Sequence, residues 1–334
     1  MRYFKGYSLL LMASLAACSK GSDTTTLVGN WIKRSEFEGV ARSGAASFVI
    51  DDKAYVGTGF DGLKRLSDFW MYNVDQNQWT QKTDFGGDPR SNAVGMAVNG
   101  KGYVGTGYDG RNYYKDFYEY DPVANAWTKK ADFGGTARYG AVAFSVTTKG
   151  VGQGYIATGY DGNWLKDNWA YDPASNTWTQ AQSLISGKRQ DASVFVINNT
   201  AFVCMGTANN SPLTDFYSFN GDDLYWKTLN SIANVSDDSF DDLYNFAGSG
   251  AASFAMRGKG YIATGTRGAA CWEYNPGTDR WVQKTDFEGA PRTAATGFTV
   301  KDRGFVVLGQ SNSSTQVLDD MWEFDPTAEY NKND

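Results

Sequence analysis

The chain has 334 residues, a formal net charge of −6 and no histidine. Without an imidazole there is no Ser-His-Asp triad, no His-ligated zinc and no imidazole general base. A pI near 4.9 argues against nucleic acid as a partner, because phosphates call for a basic footprint. The first element in chain order is "MRYFKGYSLLLMASLAAC", with Arg2 and Lys5 ahead of an apolar run from about Leu9 to Ala17. That run is too short to span a bilayer, and the small residues before Cys18 resemble a bacterial lipobox. On this reading residues 1–17 are a lipoprotein signal peptide, Cys18 carries diacylglyceride and a palmitate-type acyl chain, and residues 18–27 are a polar linker. The expected location is the bacterial cell envelope, on the outer membrane in preference to the inner, facing the periplasm or the surface. An ordinary signal peptide with an incidental cysteine is the alternative.

From residue 28 onward the sequence repeats. Tryptophans that introduce W-x-x-[K/R]-x-[D/E]-F or a degenerate form of it stand at Trp31, Trp79, Trp127, Trp178, Trp226 and Trp281, spaced 48, 48, 51, 48 and 55 residues. A fixed period in this range sets the architecture before local propensity does. Each unit holds four short runs rich in Val, Ile, Tyr, Phe, Trp and Thr, broken by Gly, Asp-Gly, Asp-Pro and Asn, which predict four antiparallel strands. The first run, as in "SGAASFVI" (43–50), is crowded with small residues, which suits the innermost strand of a ring where backbones crowd the axis. The last unit ends in "MWEFDPTAEYNKND" and lacks its tryptophan strand, whereas "NWIKRSEF" (30–37) is a tryptophan strand with no unit before it. The expectation is that the N-terminal strand completes the last blade, closing the ring without an exposed end.

The stretch "GKGYVGTGYDGRNYYKDFYEYDPVANAWTKKADFGGTAR" (100–138) resembles a kelch repeat, and the likeness spans roughly residues 28–326. The resemblance implies an all-β fold, a six-bladed kelch β-propeller with four antiparallel strands per blade, as one domain over 28–334. One departure from the kelch pattern is that the first member of the usual Gly-Gly pair is Thr58, Thr106, Thr158, Met205, Thr264 or Leu308. Kelch propellers include copper galactose oxidases, but their metal site uses two histidines and this chain has none, so that activity is excluded. No cofactor or metal is expected.

An arginine follows the tryptophan by eleven residues in five units, as Arg42, Arg90, Arg138, Arg189 and Arg292. The first three units add an aromatic before Asp-Gly: Phe60, Tyr108 and Tyr160. By resemblance to peptide-binding kelch domains these arginines ring the mouth of the central channel with the three aromatics nearby, ready to grip a carboxylate or phosphate and to offer flat faces to rings. The competing reading makes the arginines bridges between loops. Asp61, Asp109 and Asp161, with Asp68, Asp116 and Asp167 after them, offer only two carboxylates per loop, which favours turn-stabilising hydrogen bonds over calcium. Cys204 and Cys271 fall in different blades, and free thiols fit them better than a disulfide. The fifth unit departs from the others: Gly248 stands where an arginine is expected, after an insertion, "ANVSDDSFDDLYNFAG" (233–248), that carries four aspartates and should emerge on the arginine face. Two functions fit this pattern. One is a membrane-tethered propeller binding an anionic sugar or an acidic peptide or protein at the channel mouth; the other is a histidine-independent carbohydrate-active enzyme such as a sialic acid mutarotase, a role found among exported bacterial kelch propellers.

Overall fold

The structure, a computed structural model, describes Met1 and residues 27–234 and 244–333. Among these residues there is no helix, and six four-stranded antiparallel sheets form the six blades of a propeller. Numbered from the first complete sheet, the inner strands are Ala46–Ile50, Val94–Val98, Val142–Thr148, Ser193–Ile197, Ala252–Met256 and Thr296–Val300. Along Ala46–Ile50 buried and half-buried residues alternate, as they must when one face packs between blades and the other turns to the axis.

The ring closes as expected. Asn30–Lys33 is the outermost strand of blade six, paired with Met321–Asp325 in the register Asn30↔Asp325, Trp31↔Phe324, Ile32↔Glu323 and Lys33↔Trp322. Trp31 has no exposed surface. Its ring lies 4.6 Å from that of Phe324 and 4.9 Å from that of Phe287, contributed by the preceding blade's outer loop. Hydrophobic clusters fill the interfaces between neighbouring blades, and the repeat aromatics supply much of each. In the cluster between blades one and two, Phe48, Tyr55 and Phe69 meet Phe85, Val104 and Tyr120.

The small residues of the inner strands permit contact between backbones. A Cβ on Gly95 would stand 2.3 Å from the Ser47 carbonyl oxygen of blade one, and one on Gly297 would stand 2.4 Å from that of Ser253. Where the kelch pattern has the first glycine of its pair, Thr58, Thr106, Thr158, Met205, Thr264 and Leu308 all have φ between 58° and 66°. Glycine would adopt that conformation without steric cost; here side chains adopt it, and all six are buried.

Candidate ligand-binding mouth

The five recurring arginines do not face the mouth. Each is fully buried, and the surrounding fold occupies its guanidinium. Arg90 donates from Nε to the Asp88 carbonyl at 2.9 Å, from Nη1 to the Thr106 carbonyl at 3.0 Å, and in a two-pronged grip to both carboxylate oxygens of Asp116. Arg42, Arg138 and Arg292 repeat this geometry with Asp68, Asp167 and Asp320, and Arg189 holds Asp215 through one nitrogen. The phenylalanine of the W-x-x-[K/R]-x-[D/E]-F signature lies against the guanidinium, with Phe85 5.0 Å from Arg90 and Phe133 4.9 Å from Arg138. The aspartate is fixed in turn by the next aromatic: Trp70, Trp169 and Trp322 donate from Nε1 to Asp68, Asp167 and Asp320 at 2.7–2.8 Å.

The expectation that Arg42, Arg90, Arg138, Arg189 and Arg292 present guanidinium groups to a ligand is therefore corrected. A buried cation needs a partner, the loop aspartate provides it, and the unit works as a strut within each of the five blades that carry it. The same finding gives Asp68, Asp116 and Asp167 a role beyond turn stabilisation. Blade five lacks both members: Gly248 replaces the arginine and Ala270 the aspartate, two residues before Trp272. There Phe246 stacks on Trp272 at 4.6 Å and 16°, while the indole Nε1 of Trp272 is buried without a hydrogen bond among the described residues. The paired loss is the sequence signal that ties arginine to aspartate. Asp237, Asp238, Phe240, Asp241 and Asp242 of the insertion lie outside the described residues.

Phe60, Tyr108 and Tyr160 belong to a larger aromatic surface. The backbones of Phe60, Tyr108 and Tyr160 bridge to Ser43, Ser91 and Tyr139, each one residue before the residue that reaches the axis. Tyr108 stacks on Tyr139 with centroids 5.4 Å apart; Tyr113 lies 5.2 Å from Tyr139, and Tyr160 lies 5.4 Å from Trp164. All five rings are half-buried, which leaves faces and edges open. The Arg65 guanidinium sits 4.4 Å from the Phe60 ring and 5.1 Å from the Tyr108 ring, and its Nε makes no hydrogen bond among the described residues. The result is an arc over blades one to three of Phe60, Arg65, Tyr108, Tyr113, Tyr139, Tyr160 and Trp164. Tyr113, Tyr139, Trp164 and Arg65 were missed in the sequence because each occurs at its position in one unit only. Asp61, Asp109 and Asp161 cap the turns that follow them: Asp109 accepts from the backbone N–H groups of Arg111 and Asn112 at 2.6 Å, and those bonds help hold its carboxyl below the usual range.

Inside the arc lies the throat of the channel, a cavity of about 400 Å³ lined by Gly44, Asn92, Gly140, Asp191, Gly250 and Ala294 and their neighbours. These six residues have left-handed φ of 52–62°. They form a closed circle of backbone hydrogen bonds in which each N–H donates to the carbonyl of the preceding blade: Asn92 to Gly44, Gly140 to Asn92, Asp191 to Gly140, Gly250 to Asp191, Ala294 to Gly250 and Gly44 to Ala294, at 2.8–3.2 Å. The circle consumes the backbone donors of its own six residues. Cys204 and Cys271 are free and buried, and burial pushes both thiols well above their ordinary range.

Sheet order, ring closure and interface clusters define a six-bladed β-propeller. Residues 41–86 and 155–185 match the kelch motif, and the protein is a six-bladed propeller of kelch repeats. A solved structure entitled "Structure of YjhT" is similar to it, with a TM-score of 0.69 and 15% identity over 86% of this chain and 95% of that one. At that identity the likeness concerns the fold alone. Since 833 solved chains match, the fold does not select a function. No curated protein matches the chain significantly.

Proposed function

We propose that the protein is a binding propeller that holds an acidic saccharide on the aromatic arc beside the channel throat. The observation that carries the reading is the contiguous, half-buried surface of Tyr108, Tyr113, Tyr139, Tyr160 and Trp164 next to Arg65, a guanidinium with no ion pair among the described residues. Sugar rings stack on aromatic faces, and a guanidinium placed in advance beside the Phe60 and Tyr108 rings suits a carboxylate. The fully paired arginine struts contribute rigidity instead. Trp164 supplies an intrinsic reporter. Titration with tetragalacturonate, N-acetylneuraminic acid and a glutamate-rich peptide, followed by fluorescence and calorimetry, should show saturable binding of a saccharide. Tyr113→Ala with Trp164→Ala should weaken it by about tenfold or more, from about 0.5–1.5 kcal/mol per aromatic contact. Binding of the peptide alone would reassign the ligand to proteins, and a double variant that binds normally would remove the arc from the site.

One observation favours the catalytic alternative: Asp191, in the throat, is a carboxyl whose pKa burial raises, the property required of a proton donor in a site without histidine. Faster anomer exchange of a bound sugar, read by NMR, would support it. The lipobox at Leu15–Cys18 supports attachment to the cell envelope through Cys18, and Cys18→Ser should release the protein from the membrane fraction and abolish labelling by palmitate.

A further inference from the structure

We infer that the throat is a second recognition element, a subsite in which the Asp191 carboxylate accepts hydrogen bonds from the hydroxyl groups of a sugar whose neighbouring ring lies on the aromatic arc. The inference rests on the binding function proposed above and adds to it what the ligand must present at the axis.

Among the described residues, Asp191 is the only charged one lining the cavity, whose other walls are Gly, Ala, Ser and Thr with Asn92. No lysine or arginine among the lining residues neutralises it. Five blades place Gly44, Asn92, Gly140, Gly250 and Ala294 at the equivalent step of the hydrogen-bonded circle, so the carboxyl is a departure made by blade four alone. Its backbone N–H and carbonyl are committed to the circle, which fixes where the side chain starts. The carboxyl leans back over blade three: a Cβ on Gly140 would stand 2.6 Å from Asp191 Oδ1. Gly140 is the residue after Tyr139, so the carboxyl lies at the foot of the arc, close enough for its charge to raise the pKa of the Tyr139 phenol, where burial is the larger cause.

The groups facing Asp191 are few. Gln190 Nε2 donates to Oδ2 at 3.1 Å, Tyr139 stands beside it, and Gly140 and Gly250 pack against it through the circle. Oδ1 therefore keeps acceptor capacity in a cavity where every backbone donor of the circle is already used. A carboxylate takes up to about four hydrogen bonds and donates none. The group it suits is a donor-rich one, and the hydroxyls of a sugar that already stacks on Tyr139 supply donors in pairs. An anionic group is unsuited to the throat and is directed outward, toward Arg65. Burial pushes Asp191 above the ordinary aspartate range, with the Gln190 bond offsetting some of that effect, so donors arriving at the carboxylate should pull its proton off.

Calorimetry of the wild-type protein and Asp191→Asn with tetragalacturonate and N-acetylneuraminic acid, at pH 5 and pH 7.5 and in two buffers of different ionisation enthalpy, tests this. The wild type should bind more tightly at the higher pH, and any proton released on binding should come from Asp191. Asp191→Asn, checked for a native circular dichroism spectrum, should bind roughly tenfold more weakly at pH 7.5, the equivalent of one charge-assisted hydrogen bond, with no proton release. Should Asp191→Asn fail to fold, Asp191→Ser takes its place, and wild-type affinity in a folded variant lacking the carboxylate overturns the throat subsite. If Asp191→Asn binds like the wild type while the Tyr113→Ala, Trp164→Ala protein does not, the arc stands and the throat subsite falls. If the wild type binds neither saccharide, the proposed function itself fails and the subsite with it.

Discussion

A guanidinium with no exposed surface, gripped by a carboxylate and covered by a phenyl ring, has nothing left for a ligand, and Arg90 shows what it does instead. Replacing it by alanine strands Asp116 and empties a space between Phe85 and Tyr114, whose rings lie 5.0 and 4.0 Å from the guanidinium. Breaking a buried pair in this way costs about 3–5 kcal/mol. Arg90→Ala should therefore lower the urea midpoint sharply while saccharide affinity per folded molecule holds; lost affinity at unchanged stability would return the arginines to the ligand. The partners also give a pH signature. Burial raises the carboxyl of Asp68, but the hydrogen bond and charge of Arg42 outweigh it, and its pKa is lowered; Asp320 behaves likewise with Arg292. A carboxyl with a lowered folded pKa stabilises above its unfolded value of about 3.9, and that stability is lost as pH falls through the folded pKa. Unfolding free energy measured between pH 5 and 2 should fall less steeply in Asp68→Asn than in the wild type. Asp191, raised on folding, acts in the opposite sense: it favours the fold below the unfolded value, and the benefit is lost as pH rises through its folded pKa.

The strand is the scale at which the sequence was most legible. A period near 48 residues, four turn-bounded runs per unit and an orphan tryptophan strand at the start led to six sheets and to Asn30–Lys33 pairing with Met321–Asp325, because register and closure depend on hydrophobic alternation that single residues reveal. The arginines misled because recurrence at one offset is equally the mark of a surface motif and of a strut; their aspartate partners lie 26–29 residues away, and only the joint absence at Gly248 and Ala270 links the two. The arc was half legible: Phe60, Tyr108 and Tyr160 recur, whereas Arg65, Tyr113, Tyr139 and Trp164 are brought together by the loops of three blades. The small residues of the inner strands were legible as close-packing positions, and Gly95 gives a measurable case. With its Cβ directed 2.3 Å from a backbone oxygen of blade one, Gly95→Ala must push the inner strands of blades one and two apart, at a cost of about 1–3 kcal/mol as for other overpacked sites. An unchanged melting temperature would mean that the inner strands are not in contact there.

For the whole molecule, stability depends on the ring being closed, and the closing strand carries that burden in few residues. Trp31 fills the space among Phe254, Phe287 and Phe324, and Arg34 donates to Glu323 at 2.7 Å, a carboxylate that Arg303 also holds. Deleting residues 27–37 removes the fourth strand of blade six, leaves the edge of Met321–Asp325 unpaired and exposes three aromatic rings; the loss of Trp31 alone is comparable to other large-to-small core changes, about 3–5 kcal/mol. The first and last strands of the propeller bring Asn30 and Asn331 side by side, since the Asn331 N–H donates to the Asn30 side-chain oxygen at 2.7 Å, which makes a control possible. A circular permutant that joins residue 333 to residue 27 through a short glycine-serine linker and opens at the exposed turn between Val123 and Ala124 keeps every strand pair while moving the break to a different blade. The deletion should abolish or broaden the cooperative unfolding transition seen by circular dichroism, and the permutant should retain it within a few degrees of the parent. If the two proteins melt alike, closure by Asn30–Lys33 is not what holds the ring, and the inter-blade clusters suffice without it.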